Sequence, residues 1–321
     1  LRASEELTRG WHGGAGTPDP GPEDEAVLQF LIGGVAAYGL AVGGLWLLQE
    51  RLLFPRAAAS PATFALPERA ERVVLRSADG HRLVGALLPA QESSRGLLLG
   101  FGGNAWNADD LLLFLAGRVP DYDVVVFHYR GYPPSEGRPS EAAFYADAIL
   151  VHDWAVRRLE PPRIVAFGAS LGSVVAAHLA AHRPLDGLVL VTPFDSVEAI
   201  AAERYFWAPV RVLLRHPFRA AEHLRGRDLP VAVILAEQDR IVPRRRSEAL
   251  IAVLAHPVLV ATVRGAGHNA IYEREEFDRY LIEALRAIES ATLRQQEGSP
   301  RRLGSSSEGT PHGAPPLVSG R

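Results

Sequence analysis

The sequence contains no cysteine, no methionine and no lysine. Without cysteine there is no disulfide, thiolate nucleophile, zinc finger or iron–sulfur cluster. Without lysine there is no P-loop and no Schiff base to pyridoxal phosphate. All 34 basic residues are therefore arginine, and 37 acidic residues bring the net charge to −3. That balance leaves no strong positive field to hold nucleic acid. With no methionine and Leu1 as first residue, the natural start is expected to be missing or processed away. What remains is a 321-residue chain, 47% hydrophobic, long enough for one large domain or two small ones.

Hydropathy and composition divide it into four parts. Residues 1–25 are rich in Gly, Pro and acid, cannot bury enough apolar surface to order themselves, and are expected to be disordered. Residues 26–49 carry no charge. As a helix they span roughly 36 Å, enough for a bilayer core of about 30 Å, so a transmembrane helix is expected there, against the alternative of a buried core helix. Trp46 and Arg51 suit one interface and Glu23, Asp24 and Glu25 the other, and the acidic lead-in argues against a cleaved signal peptide. Arg51 and Arg56 follow the segment closely while Arg9 precedes it at a distance. The positive-inside bias thus favours a single-pass membrane protein with its main domain on the cytoplasmic side. Gly39 and Gly43 form a GxxxG that would let two such helices pair into a homodimer.

Residues 60–290 read as the globular domain. Asp79-Gly80 marks a hairpin between two short strands. Apolar runs at 96–101, 122–129, 163–169, 187–193, 230–237 and 257–264 then alternate with helical stretches at 107–118, 139–159, 171–183, 244–255 and 274–290. Strands apolar on both faces belong in a parallel sheet covered by helices, so the expected fold class is α/β: a doubly wound, mostly parallel sheet with an antiparallel start. Residues 291–321 form a polar Ser/Gly/Pro tail expected to be disordered.

Gly168-Ala169-Ser170-Leu171-Gly172 is a G-x-S-x-G between a strand candidate and a helix candidate, the context a nucleophile elbow requires. The competing reading is a Gly-rich turn whose serine only caps the helix. A serine hydroxyl needs a base, and the base needs an acid to fix its tautomer. His268, in a Gly-flanked loop after the last strand candidate, and Asp239, after the preceding one, supply them, with Asp195 as substitute acid. The order Ser170, Asp239, His268 is that of α/β-hydrolases. An oxyanion needs two donors. The Leu171 N–H directly after the nucleophile is one. The Asn104 N–H, in the loop after the first parallel strand (Gly102-Gly103-Asn104), is the other. Arg130, in HYRGYPPSEG, reads chiefly as a structural residue of the same rim. His178 and His182 stand at i, i+4 with neither an intervening catalytic Glu nor a third ligand nearby, and read as helix-surface residues rather than a metal site.

These motifs (ERLLFP, FGGNAWN, HYRGYPPSEG, GASLG, TPFDS, AEQDRIVP and GAGHNA) occur in an order that resembles the α/β-hydrolase superfamily. The likeness is to its single-pass membrane-anchored branch, related to eukaryotic α/β-hydrolase-domain lipases and prolyl-oligopeptidase-like bacterial hydrolases. The resemblance implies Ser170, Asp239 and His268 as the triad, with residues 196–228 as a helical lid. Many relatives have His-Gly-Asn where this chain has Gly102-Gly103-Asn104, a change that keeps a backbone donor but alters its support. The expected activity is a membrane-anchored serine hydrolase cleaving carboxylic esters, including lipid esters, through an acyl-enzyme and needing no cofactor or metal. A serine peptidase or amidase of the same fold, and a catalytically silent membrane-tethered binding protein, are the alternatives.

Overall fold

A computed structural model describes residues 22–56 and 61–298; the remaining segments, including residues 1–21 and 299–321 of the two expected disordered ends, lie outside the described residues. Eight strands form one sheet. They are β1 (Glu71–Arg76), β2 (Arg82–Leu88), β3 (Leu97–Phe101), β4 (Asp123–Phe127), β5 (Ile164–Ala169), β6 (Gly187–Val191), β7 (Val231–Ala236) and β8 (Pro257–Val263). Their spatial order is β1-β2-β4-β3-β5-β6-β7-β8. β1, β2 and β4 pair antiparallel, with Gly80 at φ +86° in the first hairpin, and all pairings from β4 through β8 are parallel. Each expected apolar run becomes a strand, trimmed by one to three residues. Strands β3, β6 and β7 are buried along their whole length, which is why they read as unbroken apolar segments rather than as alternating ones.

Helices α2 (Ala108–Arg118) and α9 (Glu275–Gly298) cover one face, with Leu111, Leu115, Phe277 and Ile288 buried against Val124, Phe167 and Ile234. Helices α3 (Glu141–Leu159), α4 (Leu171–His182) and α8 (Arg244–Ile251) cover the other, with Phe144, Val174 and Leu250 packed into the cluster of Leu99, Leu190 and Val233. This arrangement places the site. After β3 the chain turns to one face through α2, and after β5 it turns to the opposite face through α4, although β3 and β5 are neighbours. The crevice between their carboxyl ends is the topological switch point of the sheet, where open α/β folds bind ligands.

Boundaries differ from the sequence expectation in four places. Helix α1 runs Pro22–Leu53, so residues 22–25 are helical rather than part of a disordered lead. Pro at the first position and acid in the first turn both favour a helix start there. Helix α9 continues to Gly298, eight residues beyond 290, because its apolar stripe continues: Ala291 and Thr292 are buried, and the Thr292 hydroxyl donates to the carbonyls of Asp186 and Ile288. Helix α8 ends at Ile251 rather than 255. The insertion at 196–228 divides in two. Helix α7 (Ala220–Leu224), with Phe218, is buried in the body, whereas α5 (Val197–Arg204), which rests Val197 and Ile200 on the core, and α6 (Val210–Leu213) contain no fully buried residue.

Helix α1 is long and apolar enough to cross a membrane over Glu25–Leu53, and its most apolar stretch is unburied by the rest of the chain. Its carboxyl half lies along α5 and α6. The Tyr38 hydroxyl donates to the Trp207 carbonyl at 3.1 Å, Gln49 donates to Leu213 and accepts from the Arg215 amide, and Arg215 pairs with Glu50 and covers the Trp46 ring. Phe54, just past the helix, is buried among Phe144, His216 and Phe218.

Candidate active site

Ser170 sits between β5 and α4 at φ +48°, ψ −114°. A non-glycine residue there stores strain of about 1–3 kcal/mol, which survives only where the surroundings fix it. Here they do. The Ser170 amide donates to the Val191 carbonyl at 2.9 Å, and its carbonyl accepts from both the amide and the hydroxyl of Ser173. The flanking glycines are sterically required: a Cβ at Gly172 would lie 2.0 Å from the Phe101 carbonyl oxygen, and one at Gly168 2.6 Å from that of Gly172. The Ser170 side chain makes no helix-capping bond, so the turn does not use its hydroxyl for that purpose.

Asp239 follows β7 and His268 follows β8, at the same carboxyl edge of the sheet. His268 Nδ1 lies 2.7 Å from Asp239 Oδ2, with both side chains 8% exposed. The other carboxylate oxygen, Oδ1, accepts from the amides of Ile241 and Val242 at 2.9 and 2.8 Å. Asp239 is thereby held on both oxygens, and the His268 ring is oriented with Nδ1 toward the carboxylate and Nε2 on its far side. The substitute acid is engaged elsewhere: Asp195 pairs with Arg246 at 3.0 Å, and burial raises its carboxyl above the usual range.

The loop after β3 reaches the elbow from the other side of the switch point. A Cβ on Gly103, the residue before Asn104, would stand 3.6 Å from that of Ser170. Leu171 opens α4, where a first-turn N–H has no intrahelical acceptor. Two tyrosines of the HYRGYP segment hold this loop. The Tyr129 hydroxyl donates to the Gly102 carbonyl at 2.9 Å, and that of Tyr132 to Asn104 Oδ1 at 2.7 Å. Asn104 Nδ2 in turn donates to the Leu53 carbonyl at the end of α1, at 2.6 Å. Trp106 packs on Tyr272, 4.6 Å between ring centres, joining the β3 loop to the turn that follows His268. Burial, reinforced by the Asp239 carboxylate, pushes the Tyr272 phenol up.

Known proteins of the same construction were found by sequence and by shape. The family profile described as alpha/beta hydrolase fold matches residues 97–221. An uncharacterized protein of Mycobacterium tuberculosis is 36% identical over 275 residues, covering 81% of this chain and 96% of that protein. Lysophosphatidylserine lipase ABHD12 of Danio rerio is 28% identical over 194 residues, 52% of this chain and 51% of that protein. Human alpha/beta hydrolase domain-containing protein 17B is 26% identical over 230 residues, 70% and 76% of the two chains. Among solved structures, an esterase of Pyrococcus furiosus superposes with a TM-score of 0.55 at 16% identity, over 71% of this chain and 95% of that one. The chain belongs to the α/β-hydrolase superfamily.

Within this α/β-hydrolase, several site-supporting residues had no local signal. Tyr129 and Tyr132 were visible only as part of a motif, and their partners follow from the β3–β4 register. Arg130 is structural: buried, it forms a paired contact with Asp147 and a further one with Asp79. The surface reading of the two helical histidines needs correction for His178. It is half-buried, stacked on Tyr145 at 3.8 Å and on His182 at 4.0 Å, with His223 edge-on, because α4 packs against α3 and α7 on that side. Burial and the neighbouring His182 and His223 lower His178 to about 3. Among the described residues no group of three His, Asp or Glu is placed to hold a metal ion.

Proposed function

We propose that this α/β-hydrolase is a membrane-anchored serine esterase acting on lipid esters, with Ser170 as nucleophile, His268 as base and Asp239 as its orienting acid. The observation that carries the reading is the Asp239–His268 pair at the same sheet edge as the strained Ser170 turn. In the acylation step Ser170 Oγ forms a bond to the ester carbonyl carbon while its proton passes to His268 Nε2. The carbonyl electron pair moves onto oxygen, which the Leu171 and Asn104 amides stabilise. His268 then gives its proton to the departing alkoxide as the carbon–oxygen bond breaks. Water repeats the sequence: its proton goes to His268, its oxygen bonds the acyl carbon, and Ser170 leaves with the proton returned. The residues drawn into this scheme supply nucleophile, base and oxyanion donors.

Helix α1 anchors the enzyme in this reading, with Arg51 and Arg56 on the cytoplasmic side and Gly39 and Gly43 as the pairing face between two copies. The likeness to the Danio rerio lysophosphatidylserine lipase supports lipid esters as the substrate class. A panel of p-nitrophenyl esters, lysophospholipids and aminoacyl amides tests it on the purified full chain. Ester turnover that Ser170→Ala abolishes is expected. Amide turnover without ester turnover would replace the esterase with a peptidase or amidase.

A further inference from the structure

A cavity of about 290 Å³ lies between α1 and the α5–α6 part of the insertion, close to the lower end of small-molecule sites at about 300 Å³. Val42, Leu45 and Leu53 of α1 face Ile200, Ala201 and Leu213 of the lid across it, and Gln49 and Arg204 bring its polar and charged groups. Gln49 is already satisfied by Leu213 and the Arg215 amide.

Both ends of this cleft have neighbours that identify what fits. At the inner end, Leu53 lines the cleft and its carbonyl is held by the Asn104 side chain, one residue from the Gly103 that packs at Ser170. The Leu53 end of the cleft is thus tied to the candidate oxyanion loop by a hydrogen bond. Toward the other end, the lid follows α1 as far as Tyr38, which touches Trp207. From Leu53 to Tyr38 is roughly 22 Å of helix, more than one leaflet of a hydrocarbon core of about 30 Å. Over that stretch the lid turns Phe206 (85% exposed) and Val212 (83% exposed) outward. Such side chains are disfavoured in water and at ease in hydrocarbon.

We infer that the cleft between α1 and α5–α6 receives the acyl chain of the ester directly from the bilayer, making the membrane helix one wall of the substrate site. The inference rests on the esterase reading and extends it: α1 anchors the enzyme and also measures the chain, while the lid's apolar edge lies in the same leaflet. An acyl chain leaving its lipid neighbours would enter alongside α1 without crossing water.

The test uses the full chain in phosphatidylcholine nanodiscs and a long-chain alkyl fluorophosphonate with a diazirine at the chain terminus. The expected result is an adduct on Ser170 whose tail, after irradiation, crosslinks to residues 38–53 or 197–213. An adduct on Ser170 whose tail crosslinks only elsewhere in the protein, or only to lipid, overturns the cleft and leaves the esterase standing. No adduct on Ser170 removes the esterase reading and this inference with it. As a second measurement, Leu45→Trp and Ala201→Trp fill the cleft from its two walls. The ratio of kcat/KM for p-nitrophenyl laurate to that for p-nitrophenyl acetate should fall about tenfold or more in each. An unchanged ratio in both contradicts the proposal.

Discussion

Asp239 holds His268 at 2.7 Å with one carboxylate oxygen while the amides of Ile241 and Val242 occupy the other. The loop after β7 thus holds the carboxylate that faces the imidazole. Asp239→Asn keeps the shape but presents an amide to Nδ1, so the wrong tautomer is favoured and kcat should fall by about 10⁴-fold. Asp195→Asn, which only loosens the pair with Arg246, should retain activity. Esterase assays on the two variants distinguish them; equal losses would contradict the assignment of the acid.

The elbow makes a steric prediction. Gly172→Ala forces a methyl group against the Phe101 carbonyl, where neither backbone can yield cheaply. Its melting temperature and activity should both drop sharply. Gly117→Ala, in α2 with open space around the position, should instead gain about 0.5–1 kcal/mol from helix propensity. Thermal denaturation of the two variants checks the contrast, and a Gly172→Ala protein as stable as the wild type would refute the close approach.

How much of this was legible in the sequence depends on the range of the forces involved. Strands β3 to β7 could be read because burial on both faces leaves an unbroken apolar run such as Leu97–Leu99 or Val231–Ala236. Asp239 and His268 could be paired because each follows a strand in hydrolase order. The loop supports could not: Tyr132 finds Asn104, and Asn104 finds Leu53, only once β3, β4 and the end of α1 are in place. Likewise the run 26–49 showed that a helix could span a membrane, but Tyr38, Trp46 and Gln49 carry no mark that they would meet the 196–228 insertion. His178 looked like a surface residue because the helix it lies on is apolar nearly all round, so periodicity did not show which side α7 would cover.

Stability should depend on pH through the histidine cluster. Burial, the largest cause, lowers His178 to about 3 and His223 to about 4 in the folded chain, against about 6.5 when unfolded. Tyr145 and His182 face His178, and Arg227 adds positive charge near His223. The unfolded chain then binds more protons than the folded one below about pH 6.5, so stability is full above that pH and is lost progressively as pH falls toward 4 and 3. Melting temperature should therefore fall between about pH 7 and pH 5, and less steeply in His178→Phe, which keeps a ring on Tyr145. Parallel slopes for wild type and variant would contradict this source.

Arg130 tests the support of the rim. Its guanidinium is buried against Asp147. Arg130→Met strands that carboxylate in a buried setting and should cost about 3–5 kcal/mol, the loss expected when one partner of a buried pair is removed. The double variant Arg130→Met with Asp147→Leu removes both charges and should recover part of it. Denaturant unfolding of the three proteins measures the coupling, and a single variant as stable as the wild type would show the pair to be inert.

The central claim concerns one hydroxyl. Intact-mass and peptide mapping after treatment of the full chain with a fluorophosphonate should show a single adduct on Ser170, absent from Ser170→Ala. An adduct on another residue, or a folded wild-type protein that takes none, would contradict the account.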